Sequence, residues 1–160
     1  MKRDAPSCSC NPSLLCRQKG AAAVEFALIA IVFFTLLLGI IEFGRVLFTW
    51  NSVAEATRWG ARLAVVCDKD DATIKERMRL IAGTLTDGNI DIRYLNPPSA
   101  VNTCDKSNCK SVEVSVTGAS ITPMIPFLGM TLTIPPFTTS LPRESMESTN
   151  STGEINPVCQ

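Results

Sequence analysis

The hydrophobic pattern of the chain is dominated by one long apolar stretch near the N-terminus. Residues 21–41 contain a single charged side chain, Glu25. As a helix they reach about 30 Å, which is the thickness of the hydrocarbon core of a bilayer. From Glu42 onward, apolar residues recur at helical spacing without a proline. The pattern therefore predicts one helix over 21–66, with a membrane-spanning half at 21–41.

The pattern changes after this helix. An acidic cluster ends it, and residues 72–84 favour a short second helix that Asp71 or Thr73 can cap. Period-two alternation predicts strands at 90–94, 112–116, 130–134 and 138–147. The predicted fold class is α+β, with a long N-terminal transmembrane and amphipathic helix followed by a small extracytoplasmic domain. That domain, over 67–147, combines the short helix with an antiparallel sheet.

Two segments of the second half are predicted to lack regular structure. Residues 122–129 form an apolar loop that lies in the small core or against the membrane or a partner. Residues 148–160 form a polar C-terminal tail, which we expect to be mobile up to Pro157.

Charge predicts the orientation of the chain. The leader, residues 1–20, has one acidic residue, Asp4, and four basic residues: Lys2, Arg3, Arg17 and Lys19. By the positive-inside rule this end is cytoplasmic, and the chain after Ile41 is periplasmic. The whole chain has 15 basic and 15 acidic residues, so the part from Ala21 has 11 and 14. This net negative charge argues against nucleic-acid binding.

The junction between leader and apolar stretch carries the functional signal. One interpretation is a signal anchor whose carboxylate, Glu25, lies near its cytoplasmic end. The other is the class III signal peptide of type IV pilins, which a dedicated peptidase cuts after a glycine. Cutting after Gly20 would make Ala21 the new N-terminus and Glu25 the fifth residue. The free amine of Ala21 could then neutralise a carboxylate on a neighbouring subunit.

The seven cysteines divide at the membrane. Cys8, Cys10 and Cys16 lie in the leader, and four more lie beyond the apolar stretch. Four cysteines in an oxidising compartment suggest two disulfides, with three possible connectivities. We favour a Cys104–Cys109 bridge that closes a short turn and a Cys67–Cys159 bridge that ties down the tail. A zinc site is the alternative, but the chain has no histidine to complete it.

Composition also argues against catalysis. The chain lacks histidine, a Gly-x-Ser-x-Gly elbow, a phosphate-binding glycine loop and a metal-ligand cluster. Glu144 and Glu147 lie three apart in a polar segment and are not a credible acid/base pair. We therefore expect no catalytic residue, no cofactor and no metal.

Three ordered segments identify a resemblance. These are Gly20-Ala-Ala-Ala-Val-Glu-Phe-Ala-Leu28, Leu38-Gly-Ile-Ile-Glu-Phe-Gly-Arg45 and Ala56-Thr-Arg-Trp-Gly-Ala-Arg-Leu-Ala64. They resemble the TadE-like proteins, which are pseudopilins of the tight-adherence, or Flp, type IVc pilus. The related TadF proteins share the N-terminal signal, so the subtype stays open. Secretion-system pseudopilins usually begin with an aromatic residue, and this chain departs from that pattern.

The resemblance implies a processing site and a set of partners. Gly20 matches the cleavage glycine of the family, Ala21 the first mature residue and Glu25 its glutamate. The implied partners are the prepilin peptidase, other pilins, pilus assembly proteins and membrane lipid. The implied location is the bacterial inner membrane, crossed once, with possible association with the pilus. An uncleaved, signal-anchored periplasmic binding or structural protein is the remaining alternative.

Overall fold

The structure of the chain, a computed structural model, describes residues 12–98, 104–105, 107–124 and 129–160, with side chains from Gly20 onward. The chain forms two compact units, one that ends at Ile41 and one that covers Glu42–Gln160. The leader cysteines Cys8 and Cys10 and the middle of the apolar loop lie outside the described residues. The architecture is α+β, as the sequence predicts.

Helix α1 spans Pro12–Val66. Its C-terminal end agrees with the sequence prediction, whereas it begins earlier than residue 21. Proline suits the first turn of a helix because its fixed φ is already helical and its missing N–H needs no partner there. Gly20 has a low helix propensity, but one glycine costs only about 1 kcal/mol and does not end the helix.

Helix α2 spans Ala72–Ile81 and packs against α1. Its N-cap is Asp71, whose side chain accepts a hydrogen bond from the Thr73 N–H at 3.0 Å. The helix is shorter than predicted, because glycine and a β-branched residue follow it at positions 83 and 84 and both disfavour helix. Gly60 of α1 lies under Met78, where a Cβ would overlap the methionine sulfur.

The strands form two antiparallel sheets. The five strands are β1 (Ile90–Leu95), β2 (Ser111–Val116), β3 (Ser120–Ile121), β4 (Leu132–Thr133) and β5 (Phe137–Pro142). The larger sheet has the order β1-β2-β5, and the smaller one pairs β3 with β4. The predicted strand at 130–134 is only two residues long, since a Pro-Pro pair follows it and both of its residues are exposed.

One core joins these elements within the second unit. Tyr94, Val112 and Val114 of the larger sheet are fully buried, as are Ile74 and Met78 of α2. The predicted alternation is present, because Ile90, Ile92 and Tyr94 are buried while the residues between them are exposed. Strand β1 therefore faces the core with one side and solvent with the other.

The segment that follows β5, residues 144–147, is held to the end of α1. The N–H groups of Glu144 and Met146 donate to the Val65 carbonyl, and that of Glu147 donates to the Val66 carbonyl. Carbonyls in the last turn of a helix have no intrahelical partner, so this segment satisfies them. The predicted last strand ends at Pro142 because the chain turns here to cover α1.

Candidate functional site

The predicted processing junction lies on α1 in the first unit. Gly20, Ala21 and Glu25 are all exposed. A Cβ at Gly20 would meet no atom within 4 Å, so no packing contact with the described residues requires glycine here. Within the described part of its own unit, residues 20–41, the Glu25 carboxylate has no hydrogen-bond partner. The site thus consists of Gly20, an exposed glycine with free space around it, and Glu25, an exposed carboxylate five positions further along the helix.

The helix that follows presents an apolar surface. Every side chain from Gly20 to Ile41 is exposed except that of Ala30, which is half-buried. The large exposed ones include Phe26, Leu28, Ile31, Phe33, Phe34, Leu36 and Ile40. By length and composition, one helix among the described residues could cross a membrane, and it lies within Gly20–Val66. A soluble unit would bury such a surface, so these side chains require a lipid or protein environment.

Glu42 and Arg45 form a polar contact at the start of the second unit. The Arg45 guanidinium donates to Glu42 Oε1 at 2.6 Å and to the Thr122 carbonyl at 2.5 Å. The Met124 N–H donates to the same Glu42 oxygen at 3.2 Å. The Glu42 side chain is only 14 % exposed and that of Arg45 34 % exposed. The pair therefore fixes the start of the loop that follows β3 to the base of the second unit.

The sequence revealed only half of this contact. The three-residue spacing of Glu42 and Arg45 predicts a helix-surface pair. It gives no sign that the pair also binds backbone groups of a loop about 80 residues away. One feature of the sequence could have indicated the contact. The loop lies in a segment with no charged residue between Glu113 and Arg143, so a charged group that binds the loop must come from another element.

The four cysteines beyond the apolar stretch form two disulfides in the structure. Cys67 is bonded to Cys159 across 92 residues, and Cys104 to Cys109 across five. This is the connectivity favoured from the sequence. All four cysteines are buried, and the first pair joins the residue after α1 to the C-terminal segment. No group of three or more metal-ligating side chains occurs among the residues described.

The α1–α2 turn contains a second polar contact. The Ser148 hydroxyl donates to Asp71 Oδ2 at 2.8 Å and accepts from the Asp68 N–H at 2.9 Å. Desolvation by itself would raise the pKa of Asp71. Hydrogen bonds from Thr73 and Ser148 outweigh desolvation and hold that pKa below its ordinary value. The tail therefore contributes directly to the cap of α2.

Tyr94 of strand β1 also contacts the turn between α1 and α2. Its hydroxyl accepts a hydrogen bond from the Asp70 N–H at 3.1 Å, and the Lys69 ammonium lies 5.6 Å from the centre of its ring. Burial raises the pKa of the Tyr94 hydroxyl, and the nearby carboxylates of Asp70 and Asp71 act in the same direction. These contacts hold the turn between α1 and α2 against the sheet.

Comparison with known proteins bears on the N-terminal part of the chain. The family model described as TadE-like protein matches residues 20–62, about a quarter of the 160 residues. No curated protein and no solved structure matches the chain. The match confirms the resemblance identified from the sequence and associates this segment with the tight-adherence pilus. It begins at Gly20 and covers the apolar stretch and most of the remaining part of α1.

Proposed function

We propose that this protein is a minor pilin, or pseudopilin, of a tight-adherence pilus and acts in pilus assembly and surface adherence. The observation that carries the proposal is the exposed apolar surface that begins directly after Gly20 and contains one carboxylate, Glu25. A pilin must reside in the membrane before assembly and pack among other helices afterwards. An apolar helix surface without an internal partner is suited to both environments.

In this proposal the prepilin peptidase cuts the chain after Gly20 on the cytoplasmic side of the inner membrane. The domain beyond Glu42 is then periplasmic. Two disulfides support this orientation, because the periplasm is oxidising and the cytoplasm is not. The periplasmic domain is structural and has no catalytic role.

Glu25 has a specific task in assembly. A charged carboxylate in hydrocarbon costs several kcal/mol unless it is paired or neutralised. Cleavage creates an ammonium group at Ala21, and in a bundle of such helices a neighbouring subunit supplies that group. Attraction between the two charges is much stronger in the low-dielectric bundle than in water. The free energy gained on pairing therefore appears only when subunits associate.

Processing of Gly20→Val in cells that contain the prepilin peptidase tests the cleavage step. The branched side chain should block cleavage and leave the full-length precursor. Gly39→Val is the matched control, because Gly39 is also an exposed helix glycine with no atom within 4 Å of its Cβ position. Mature-sized Gly20→Val protein would contradict the proposal, and a block by both substitutions would show that the effect is not local to the cut.

A further inference from the structure

The loop between β3 and β4 has two described ends that meet. Ile121 pairs with Leu132 in the ladder, so the chain leaves through Thr122 and returns through Met130 at the same edge. On the outgoing side, Arg45 binds the Thr122 carbonyl and Glu42 binds the Met124 N–H. The base of the loop is thus attached to the first turn of the second unit.

The position of that attachment along the chain is informative. Glu42 directly follows Ile41, the last residue of the apolar stretch. Glu42 is the next residue of the same helix, about 1.5 Å further along its axis, and its carboxylate bonds the Met124 N–H at 3.2 Å. If residues 21–41 cross the hydrocarbon, Thr122 and Met124 lie at the level of the lipid headgroups.

The described side chains at the base of the loop suit this level. Met124 is 77 % exposed, Met130 56 % and Leu132 42 %. Single exposed apolar residues are ordinary on a protein surface. Here three of them flank one loop within a segment that carries no charge from Val114 to Pro142. The two charged residues that bind the loop, Glu42 and Arg45, are paired with each other, which lowers the cost of placing them near lipid.

We propose that Met124, Met130 and Leu132, the loop-base patch, contact the periplasmic leaflet of the membrane that α1 spans. The ligand is phospholipid, met at the boundary between headgroups and acyl chains. Amphipathic surfaces bind there by burying apolar side chains a few ångströms deep. The inference rests on the proposed membrane-spanning role of residues 21–41, and it adds a second lipid contact that must break when the subunit leaves the bilayer.

Depth-dependent quenching of tryptophan by brominated lipid tests this contact. The full chain is reconstituted in vesicles of phosphatidylethanolamine and phosphatidylglycerol with bromine on the acyl chains. Single probes are introduced as Met124→Trp, Phe34→Trp and Leu80→Trp after both native tryptophans, Trp50 and Trp59, are replaced by phenylalanine. Leu80 is the matched control, because it is 72 % exposed like Met124 but lies on α2. Cooperative unfolding and intact disulfides establish that each variant is folded.

We expect strong quenching at position 34 and quenching at position 124 at least about twofold greater than at position 80. Equal quenching at 124 and 80, with position 34 strongly quenched, would overturn the lipid contact and leave the membrane span intact. Weak quenching at position 34 would instead refute the span, and with it the proposed function. A blue shift at position 124 that requires a high protein-to-lipid ratio would show that another copy of the chain, and not lipid, covers the patch.

The anchor is tested separately by adding Glu42→Ala to the Met124→Trp protein. Without the carboxylate, the Met124 N–H loses its partner and the loop base is no longer held at the boundary. Quenching at position 124 should fall toward that of the Leu80→Trp control, while quenching at position 34 stays unchanged. Unchanged quenching at 124 would contradict the role assigned to Glu42.

Discussion

The sulfur of Met78 lies directly over Gly60, so that α2 packs against α1 at a position with no side chain. A Cβ at position 60 would overlap the Met78 side chain. Gly60→Ala should therefore lower the free energy of unfolding by about 1–3 kcal/mol, the usual cost of overpacking a core. Chemical denaturation of the oxidised protein measures this change.

Gly44→Ala is the control for that prediction. Gly44 lies in the same helix and the same unit, and a Cβ there meets nothing within 4 Å. Alanine has the higher helix propensity, so this variant should be as stable as the wild type or more stable by up to about 1 kcal/mol. If both variants had the same stability, the contact between Gly60 and Met78 would not limit packing.

The two disulfides should contribute unequally. In the loop-entropy account, a bridge across 92 residues stabilises by about 4–5 kcal/mol and one across five residues by about 2 kcal/mol. Removal of Cys67 and Cys159 together should thus destabilise the domain more than removal of Cys104 and Cys109. Unfolding of the two double serine variants measures the difference, and the opposite order would contradict the assigned pairing.

Thiol labelling checks the same pairing without any substitution. If all four cysteines beyond the apolar stretch are bonded, protein that is unfolded but not reduced should show no reactive thiol after removal of the leader. Two or more labelled thiols in protein taken from the cell envelope would refute the two-bridge framework. Reduction before labelling should expose four thiols and serves as the positive control.

Asp71 should make stability depend on pH. Its pKa in the folded state is lowered, so its contribution is present above the unfolded pKa of about 3.8 and is lost as pH falls through the folded value. Ser148→Ala removes one of the hydrogen bonds responsible and should move the folded pKa of Asp71 upward. Titration of the Asp71 carboxyl carbon by NMR measures this shift. An unchanged pKa in the variant would show that the Ser148 hydroxyl does not stabilise the carboxylate.

The sequence predicted what depends on neighbouring residues and missed what depends on distant ones. The end of α1 at Val66, the Asp71 cap and the alternation in β1 and β2 follow from local periodicity and capping. Glu42 and Arg45 bind loop residues that lie 77–82 positions further along the chain, and no local pattern encodes this contact. In the candidate site, likewise, Gly20 and Glu25 are recognisable from the local sequence, whereas the contact with the loop is not.

The contacts of the tail, residues 148–160, are distant in the same sense. Its composition is polar and suggests mobility when considered alone, yet the Ser148 hydroxyl bonds to the α1–α2 turn and Cys159 is bonded to Cys67. Only the position of Cys159 indicated that the tail returns to the helix. Strand β4 is short because a Pro-Pro pair lies just beyond it and its two side chains are exposed, so they gain nothing from packing in the core.

Glu25 provides a test of assembly. Glu25→Gln keeps the size and hydrogen bonding of the side chain but removes the charge, and Glu25→Ala should insert into the membrane more easily. Both variants should insert and be cut after Gly20, yet fail to associate with other pilins or to support piliation. Co-purification with pilus subunits and counting of pili measure the two outcomes. Normal pili that still incorporate Glu25→Ala would refute the charge-pairing role.

The mature N-terminus tests the central claim most directly. Mass spectrometry of the protein isolated from the inner membrane of cells with an active prepilin peptidase gives its first residue. Processing predicts a chain that starts at Ala21, with or without N-methylation, and that leaves Glu25 as its fifth residue. A chain that retains Met1 and the leader would contradict processing as a pilin and would indicate an uncleaved membrane anchor.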